Sequence, residues 1–567
     1  MQKFHKKPGY QYLLMFASFL VFSCYSALAT EYYVRTSREI TSAMNGAQPG
    51  DTLTMANGIW RNEDIDFYGK GTEDNPIVLR AETPGQVILT GKSRLDVNGS
   101  YLVIDGLYFL GGYMVYYKVH IIDFQNESHH CRLTNTAMVD CNPEDWGLFY
   151  KWVRVKGTYN RIDHCYFSGK NHQDVMIKFL IPENSSSYGR FDHNYVGDIR
   201  EGKTGNGWEA ILIQGQNIAE DEDKAGKVIV ENNFFYHCDG EIEIISLKTG
   251  DNHIRRNTFY ECKGTVTCRK KTGNYIYENF FIGNGVPATG GVRMYSKGHI
   301  VKNNYFEKLN GDSWRAAIAL MNAQPGLPEV ENVLVAFNTI VDCENSFTFG
   351  VGESESSGRI VPPRNIRLAN NLALSNSDQL IKYLTDVNDI YYEGNIMYGA
   401  DLGIRPPAGI DTVDPKLYLA DDGLWRPGSD SPLINNAEGD YPDVAFDMDG
   451  QGRDDGEKDI GGDEFSDVPI VNRPLTRNDV GPDWINSPDL PVALFITKKG
   501  SGSGDVMLNP AGGIYEVGTV VTLTALPGIT ATFNCWGGDL TGTANPDSII
   551  MDSNKRVTAT FAGPPSR

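Results

Sequence analysis

A three-residue signature recurs through the middle of this 567-residue chain: a small residue or asparagine, then two mostly aromatic or apolar residues. It occurs at Gly106-Leu107-Tyr108, Asn135-Thr136-Ala137, Cys165-Tyr166-Phe167, Asn194-Tyr195-Val196, Asn233-Phe234-Phe235 and Asn257-Thr258-Phe259. It continues at Asn279-Phe280-Phe281, Asn304-Tyr305-Phe306, Asn338-Thr339-Ile340, Asn371-Leu372-Ala373 and Asn395-Ile396-Met397. Successive occurrences lie 22 to 39 residues apart. A floor near 22 with irregular excesses is the pattern of a solenoid with loops inserted into some coils. No segment of ordinary helix length intervenes, which excludes helical and leucine-rich repeats. The pattern therefore predicts an all-β chain wound as a right-handed parallel β-helix, its asparagines stacked as a hydrogen-bonded ladder in the turns and its aromatics stacked in the core.

Composition agrees with this reading. With 41% hydrophobic and 22% charged residues the chain is globular rather than disordered, and its 60 glycines favour a turn-rich β protein. A net charge of −21 argues against nucleic acid as a partner. Locally the balance inverts. Over residues 240–271 the bases Lys248, Arg255, Arg256, Lys263, Arg269, Lys270 and Lys271 outnumber the acids Glu241, Glu243, Asp251 and Glu261. This points to an anionic partner, set against the plainer reading of a solvated face.

The N-terminus carries Lys3, Lys6 and Lys7, an apolar run over residues 12–22, and Ala27-Leu28-Ala29. These are the three parts of a secretory signal over residues 1–29, with cleavage after Ala29 and a secreted or periplasmic product. Lipid anchoring through Cys24 is the lesser alternative, because Phe22 suits a lipidation signal poorly. No later apolar stretch is long enough to span a bilayer. Eight cysteines follow the signal. The pairs Cys141/Cys165 and Cys238/Cys262 are each 24 residues apart, as stacked core positions or as bonded partners would be.

Short β-branched runs over residues 31–112 read as strands, with a short capping helix from Glu39 to Met44. The β-helix is expected over residues 30–465. Asp447 and Asp449 before Gly450 suggest a calcium loop, but the remaining EF-hand ligand positions are missing, so this stretch reads as a C-terminal cap. A proline-punctuated linker over 466–492 precedes a small all-β module over 493–567. The module's text resembles the internalin-type bacterial repeat.

Within residues 240–271, strand periodicity puts Glu241 and Glu243 on one face with Ile242 on the other. Two like charges so placed suit a hard cation between them. Lys248 and, 21 residues on, Arg269 stand about one coil apart.

Taken with IDGLYFLGG, NRIDHCYFSGK and GGVRMYSKGHIVKNNYF, the Glu-x-Glu-x4-Lys-x20-Arg spacing resembles polysaccharide lyase family 6, the family of alginate lyases and chondroitinase B. The resemblance implies Lys248 as Brønsted base, Arg269 as acid, and Ca²⁺ held by Glu241, Glu243 and an upstream asparagine, for which Asn206 in NGWEAI is the match. It implies β-elimination on an acidic polysaccharide, alginate or a related polyuronate. Lys170, His172, Lys270, Arg293 and Tyr295 are candidates for lining the groove. Lys270 stands where the family commonly has His, and Gln214 before Gly215 departs from its usual Arg. His164 and His193, each after an Asp, read as structural turn residues.

The chemistry fits the residue types. The proton at C5 of a uronate is feebly acidic while the adjacent carboxylate is anionic, so a cation on that carboxylate and a neutral amine are needed together. A lysine beside Ca²⁺ and Arg269 has its neutral form favoured. Three alternatives stay open: a chondroitinase B-like lyase on dermatan sulfate, a hydrolase, and a non-catalytic glycan-binding or adhesion protein. A hydrolase needs acids flanking the bond, which two glutamates on one strand face supply poorly.

Overall fold

The computed structural model describes residues 29–563 except 117–118, 144–146, 204, 217–223, 271, 326–327, 353–357 and 455. The expected export signal with Cys24 lies outside the described residues, and so does Lys271. Three long parallel sheets form the faces of a right-handed parallel β-helix. The first has 14 strands from Glu31–Val34 to Ile390–Glu393, the second 14 from Gly58–Arg61 to Ile410–Asp411, and the third 12 from Asp64–Lys70 to Ile381–Tyr383. One coil shows the plan: Arg161–Asp163 on the first face, Tyr166–Ser168 on the second, Ile177–Ile181 on the third, and back to Arg190–Asp192, with Arg161 opposite Arg190.

The asparagine ladder forms at the corner between the first and second faces. The side-chain oxygens of Asn233, Asn257, Asn279, Asn304, Asn338, Asn371 and Asn395 each accept from both the backbone N–H and the side-chain amide of the ladder asparagine one coil earlier, at 2.9–3.1 Å. The residue before each ladder asparagine, for example His193, Arg256 or Glu278, turns the corner in the left-handed region at φ near +55°. The ladder satisfies an N–H that the turned backbone takes out of the sheets.

Two details differ from the sequence reading. Tyr108 lies opposite Ala137, and Ala137 opposite Tyr166, so Leu107 and Thr136 occupy the ladder position, while Gly106 and Asn135 are the left-handed residues before it. And only the second residue after each ladder position enters the core. Phe235, Phe259, Phe281 and Phe306 stack there with centroids 4.6–4.8 Å apart. The first residue points outward by strand alternation, as in the Tyr166–Tyr195 stack.

A helix, Ser37–Met44, capped by the Thr36 side chain, closes the N-terminal end over Ile40 and Met44. His164 and His193 stack on one another at 5.0 Å and bond Asp163 and Asp192, the structural role expected of them. The eight cysteines are free. Cys238 and Cys262 are stacked in register, whereas Cys141 lies opposite Lys170 and Cys165 sits at a different corner. Near the C-terminal end Arg426 binds Asp422, Asp449 and Asp463, and Asp447 accepts three backbone N–H groups.

Residues 466–492 run back along the second face. Asn472 donates to Glu278 O, Leu475 N to Thr258 Oγ1, Gly481 N to His193 O and Trp484 Nε1 to Asn135 O. This strap covers the outward aromatics and returns the chain to the early coils. There seven strands from Val492–Lys499 to Lys555–Ala562 build a small β unit around Val521, Leu523, Trp536, Met551 and Phe561. It docks through Phe495, whose ring lies 2.7 Å from where a Cβ on Gly111 would sit, and through the Arg556–Asp140 ion pair.

Replacing a central rung, Asn279→Ala, leaves buried N–H groups unpaired. It is expected to lower unfolding stability by about 1–3 kcal/mol, measured by denaturant titration, with a smaller loss for Asn395→Ala at the ladder's end.

Candidate functional site

Ile211–Gly215, Glu243–Leu247, Thr265–Cys268 and Val292–Met294 are consecutive strands of the third face. Leu247 lies opposite Cys268, and Cys268 opposite Met294. The next residues, Lys248, Arg269 and Tyr295, therefore step across three successive coils at one height. Lys248 N donates to Ile213 O, and the N–H groups of Arg269 and Lys270 both donate to Leu247 O. The spacing between Lys248 and Arg269 is thus one coil, and Lys270 extends into solvent beside them.

At the other end of the same strand the acids gather. Glu243 is buried, with Arg293 Nη2 donating at 2.9 Å and an ion pair to Arg269 Nε at 3.6 Å. Arg293 is only 2% exposed. The Arg269 guanidinium lies 4.5 Å over the Tyr295 ring, and Arg293 stands 5.6 Å from it. Lys270 apart, four of the residues singled out from the sequence (Glu243, Arg269, Arg293 and Tyr295) therefore form one packed cluster.

Glu241 departs from the expected alternation. The strand begins only at Glu243, Glu241 and Ile242 lie in the bend before it, and pairing with the next coil skips Ile244. The reason is the neighbouring turn, residues 200–210. Its Gly207 and Trp208 N–H groups donate to Glu241 Oε1 at 3.1 and 3.2 Å and draw the carboxylate toward that coil. Asn206 is on the same turn, exposed, its carbonyl accepting from Gln173 Nε2 at 3.2 Å.

That turn also supplies a residue sequence reasoning missed. Glu209, 2% exposed, has Oε1 3.9 Å from Lys248 Nζ, and its buried Oε2 has no hydrogen-bond partner among the described residues. Burial, then the facing Glu209 carboxylate, pushes the Glu241 carboxyl up to about 8, and burial raises Glu209 as well. The signal lay in the quoted NGWEAI, three residues beyond Asn206. Lys178 was missed too. It donates to Gln214 Oε1 at 3.0 Å, the residue that departs from the family pattern, and burial and neighbouring lysines bring it down to about 8.

Lys170 and His172, expected along the groove, are instead fully buried. Lys170 donates to His172 O and stands 5.3 Å from the Trp208 ring, and His172 stacks on Tyr150 at 4.1 Å. Their turn folds beneath the 200–210 turn, which shields both side chains from a polymer on the surface.

The acids can hold a metal. Glu209 and Glu241 face one another at close range, and among the described residues neither is neutralised by an ion pair shorter than 3.9 Å. Hard oxygens, mutual repulsion and an unpartnered buried carboxylate oxygen fit a divalent cation such as Ca²⁺; Asn206 lies on the Glu209 turn, while Glu243 is held by Arg293.

The chain matches the family model described as Chondroitinase B over residues 34–448, and a divergent InlB B-repeat domain over residues 494–564. No curated protein sequence matches it. Among solved structures it is similar to the family 6 alginate lyase AlyGC, at 29% identity and TM-score 0.69, covering 83% of this chain and 62% of that one. The chain thus spans less than two thirds of that enzyme's length. It is also similar to a mannuronic acid-specific family 6 lyase from human gut microbiota, at 29% identity and TM-score 0.58, covering 68% of this chain and 91% of that one. A family 6 polysaccharide lyase from Pseudopedobacter saltans gives 25% identity and TM-score 0.60, over 80% of this chain and 99% of that one.

Two outcomes are expected. Arg293→Met strips a buried acid of its closest partner and costs about 3 kcal/mol or more, read by denaturant titration. Glu241 titrates near 8 when folded against 4.5 ordinarily, so its contribution to stability is complete below 4.5 and is lost as pH rises through 8. Metal-free protein should therefore melt progressively lower across that window, and Glu241→Gln should flatten the fall.

Proposed function

The chain belongs to the chondroitinase B family, and from that premise we propose that it is an exported, calcium-dependent polysaccharide lyase cleaving alginate by β-elimination. The observation that carries the reading is the register that sets Lys248 and Arg269 side by side on adjacent coils, with the acidic set at the opposite end of the same strand. Alginate is favoured because family 6 relatives at 29% identity are named as alginate- or mannuronate-specific lyases.

Lys248 takes the C5 proton. Its amine lies over the third face, backed by Gln214 and reached by Glu209, which can hold the ammonium once the proton has transferred. Arg269, held flat on Tyr295 and tethered to Glu243, offers fixed donors to the departing oxygen at C4. A guanidinium gives up its proton too reluctantly for outright donation, so water completes that step. Calcium on Glu209, Glu241, Glu243 and Asn206 would neutralise the uronate carboxylate as charge builds on it. Arg293, buried behind Glu243, keeps that acid aimed. Lys270, exposed beside Arg269, is placed to meet a polymer carboxylate.

The test is ultraviolet absorbance of the unsaturated uronate during incubation with alginate and, separately, dermatan sulfate. A rise on alginate that chelation abolishes and calcium restores is expected, and Lys248→Ala should lower the rate by roughly 10²–10⁴-fold in a protein that melts normally. A rise on dermatan sulfate alone would move the substrate to the glycosaminoglycans. No rise on either would defeat both assignments.

A further inference from the structure

A second feature lies outside the catalytic cluster. Between the early coils and the C-terminal unit runs an open cleft of about 1380 Å³. One wall is made by turns joining the second face to the third, from Gly111 through Asn142 and Asn171 to Lys203. The other is the strand edge Leu494 to Lys499 with Arg556 and Thr558. The volume exceeds the roughly 300–1,000 Å³ of a single small-molecule pocket, so it has room for several linked sugars.

Its charge runs against that of the molecule. The whole chain carries 72 acids to 51 bases, yet apart from the fully buried Lys170 the cleft walls carry Arg200, Lys203, Lys498, Lys499 and Arg556 against Asp140 and Asp198. Arg556 and Asp140 neutralise one another, which leaves Arg200, Lys203, Lys498 and Lys499 against Asp198, whose carboxylate accepts from the Ser168 hydroxyl at 2.7 Å. Lys498 meets Asp505 at 3.3 Å, but that pair is exposed and so weak. Tyr113, part-exposed on the same wall, adds an aromatic face of the kind that packs on a sugar ring.

The cleft and the candidate active site share one turn of the chain. The turn that places Arg200 and Lys203 in the cleft carries Asn206, Gly207 and Glu209 into the acidic set a few residues later. Gly202 N bonds Gly240 O, the residue before Glu241, and fastens this turn to the catalytic coil. A polyanion lying along the third face and leaving it at this turn meets the cleft next.

We propose that this cleft is a non-catalytic subsite for the acidic polysaccharide, in which Lys498 and Lys499 of the C-terminal unit, with Arg200 and Lys203 of the coil turn, hold uronate carboxylates away from the point of cleavage. The proposal rests on the polyuronate reading above and gives the C-terminal unit a part in it. A long chain spans both sites. A short oligomer fills only the groove.

The test uses the full-length protein with Lys498→Glu and Lys499→Glu together, checked for an unchanged melting temperature. Binding is measured by calorimetry in a Lys248→Ala background, with long alginate, a uronate trisaccharide, poly-glutamate and neutral dextran as probes. Cleavage is measured separately with Lys248 intact. The expected result is a loss of affinity for long alginate of roughly tenfold, a clearly smaller change for the trisaccharide, and a matching rise in KM on the polymer. Equal losses on polymer and trisaccharide, or none on either, would overturn the subsite. So would poly-glutamate binding as tightly as alginate, since the cleft would then read charge alone. If alginate binds and the variant loses that affinity while the intact protein releases no unsaturated product, the elimination reading falls and the subsite stands.

Discussion

The structure depends on one repeated exchange: the side chain of a ladder asparagine accepting from the backbone and the amide of the asparagine one coil before it. Strands on a flat face pair coil to coil, but a corner turns the backbone N–H away from the sheets, where a buried donor left alone costs about 1–3 kcal/mol. Most corners also place a non-glycine residue in the left-handed region, at about 1–2 kcal/mol, Gly106 and Gly394 being the exceptions. The ladder offsets both at every coil it spans and fixes the phase of each coil against the next. A slip of one residue would break the ladder and turn the core phenylalanines outward.

That phase builds the site. Lys248, Arg269 and Tyr295 come from three coils and meet because Leu247, Cys268 and Met294 are held in register beneath them. The same stiffness makes a hostile place for acids tolerable. Glu243 is buried against Arg293, and Glu209 and Glu241 are pressed together in the turn and bend that lead into adjacent strands of the third face. Their mutual repulsion is held by the frame rather than relieved by it, and hard oxygens so placed suit a divalent cation.

The sequence made much of this legible because a solenoid repeats its constraints. The asparagines and the core phenylalanine column recur at coil spacing, so chance could be set against repetition, and Lys248 and Arg269 stand one such spacing apart. Legibility failed where a residue's role came from a neighbouring coil. Glu209 carried no repeat and gained meaning only when its turn folded beside Glu241. Lys170 and His172 looked like groove residues by type, but the turn after them closed overhead. Gly106 and Asn135 were aligned one place early, because a small residue suits both the left-handed corner and the ladder position after it. The segment over 466–492 showed its prolines but not its destination, since its partners lie hundreds of residues earlier.

The sequence by itself determined the coil. Period, ladder residue and face alternation are local, and each coil needs only its neighbours to satisfy it. Tertiary structure alone decided which inserted turn leans over which coil, where Glu241 points, and that the chain doubles back to set Lys498 and Lys499 opposite Arg200 and Lys203. Those placements rest on contacts between segments far apart in sequence, and packing and backbone hydrogen bonding select them only once the coils exist.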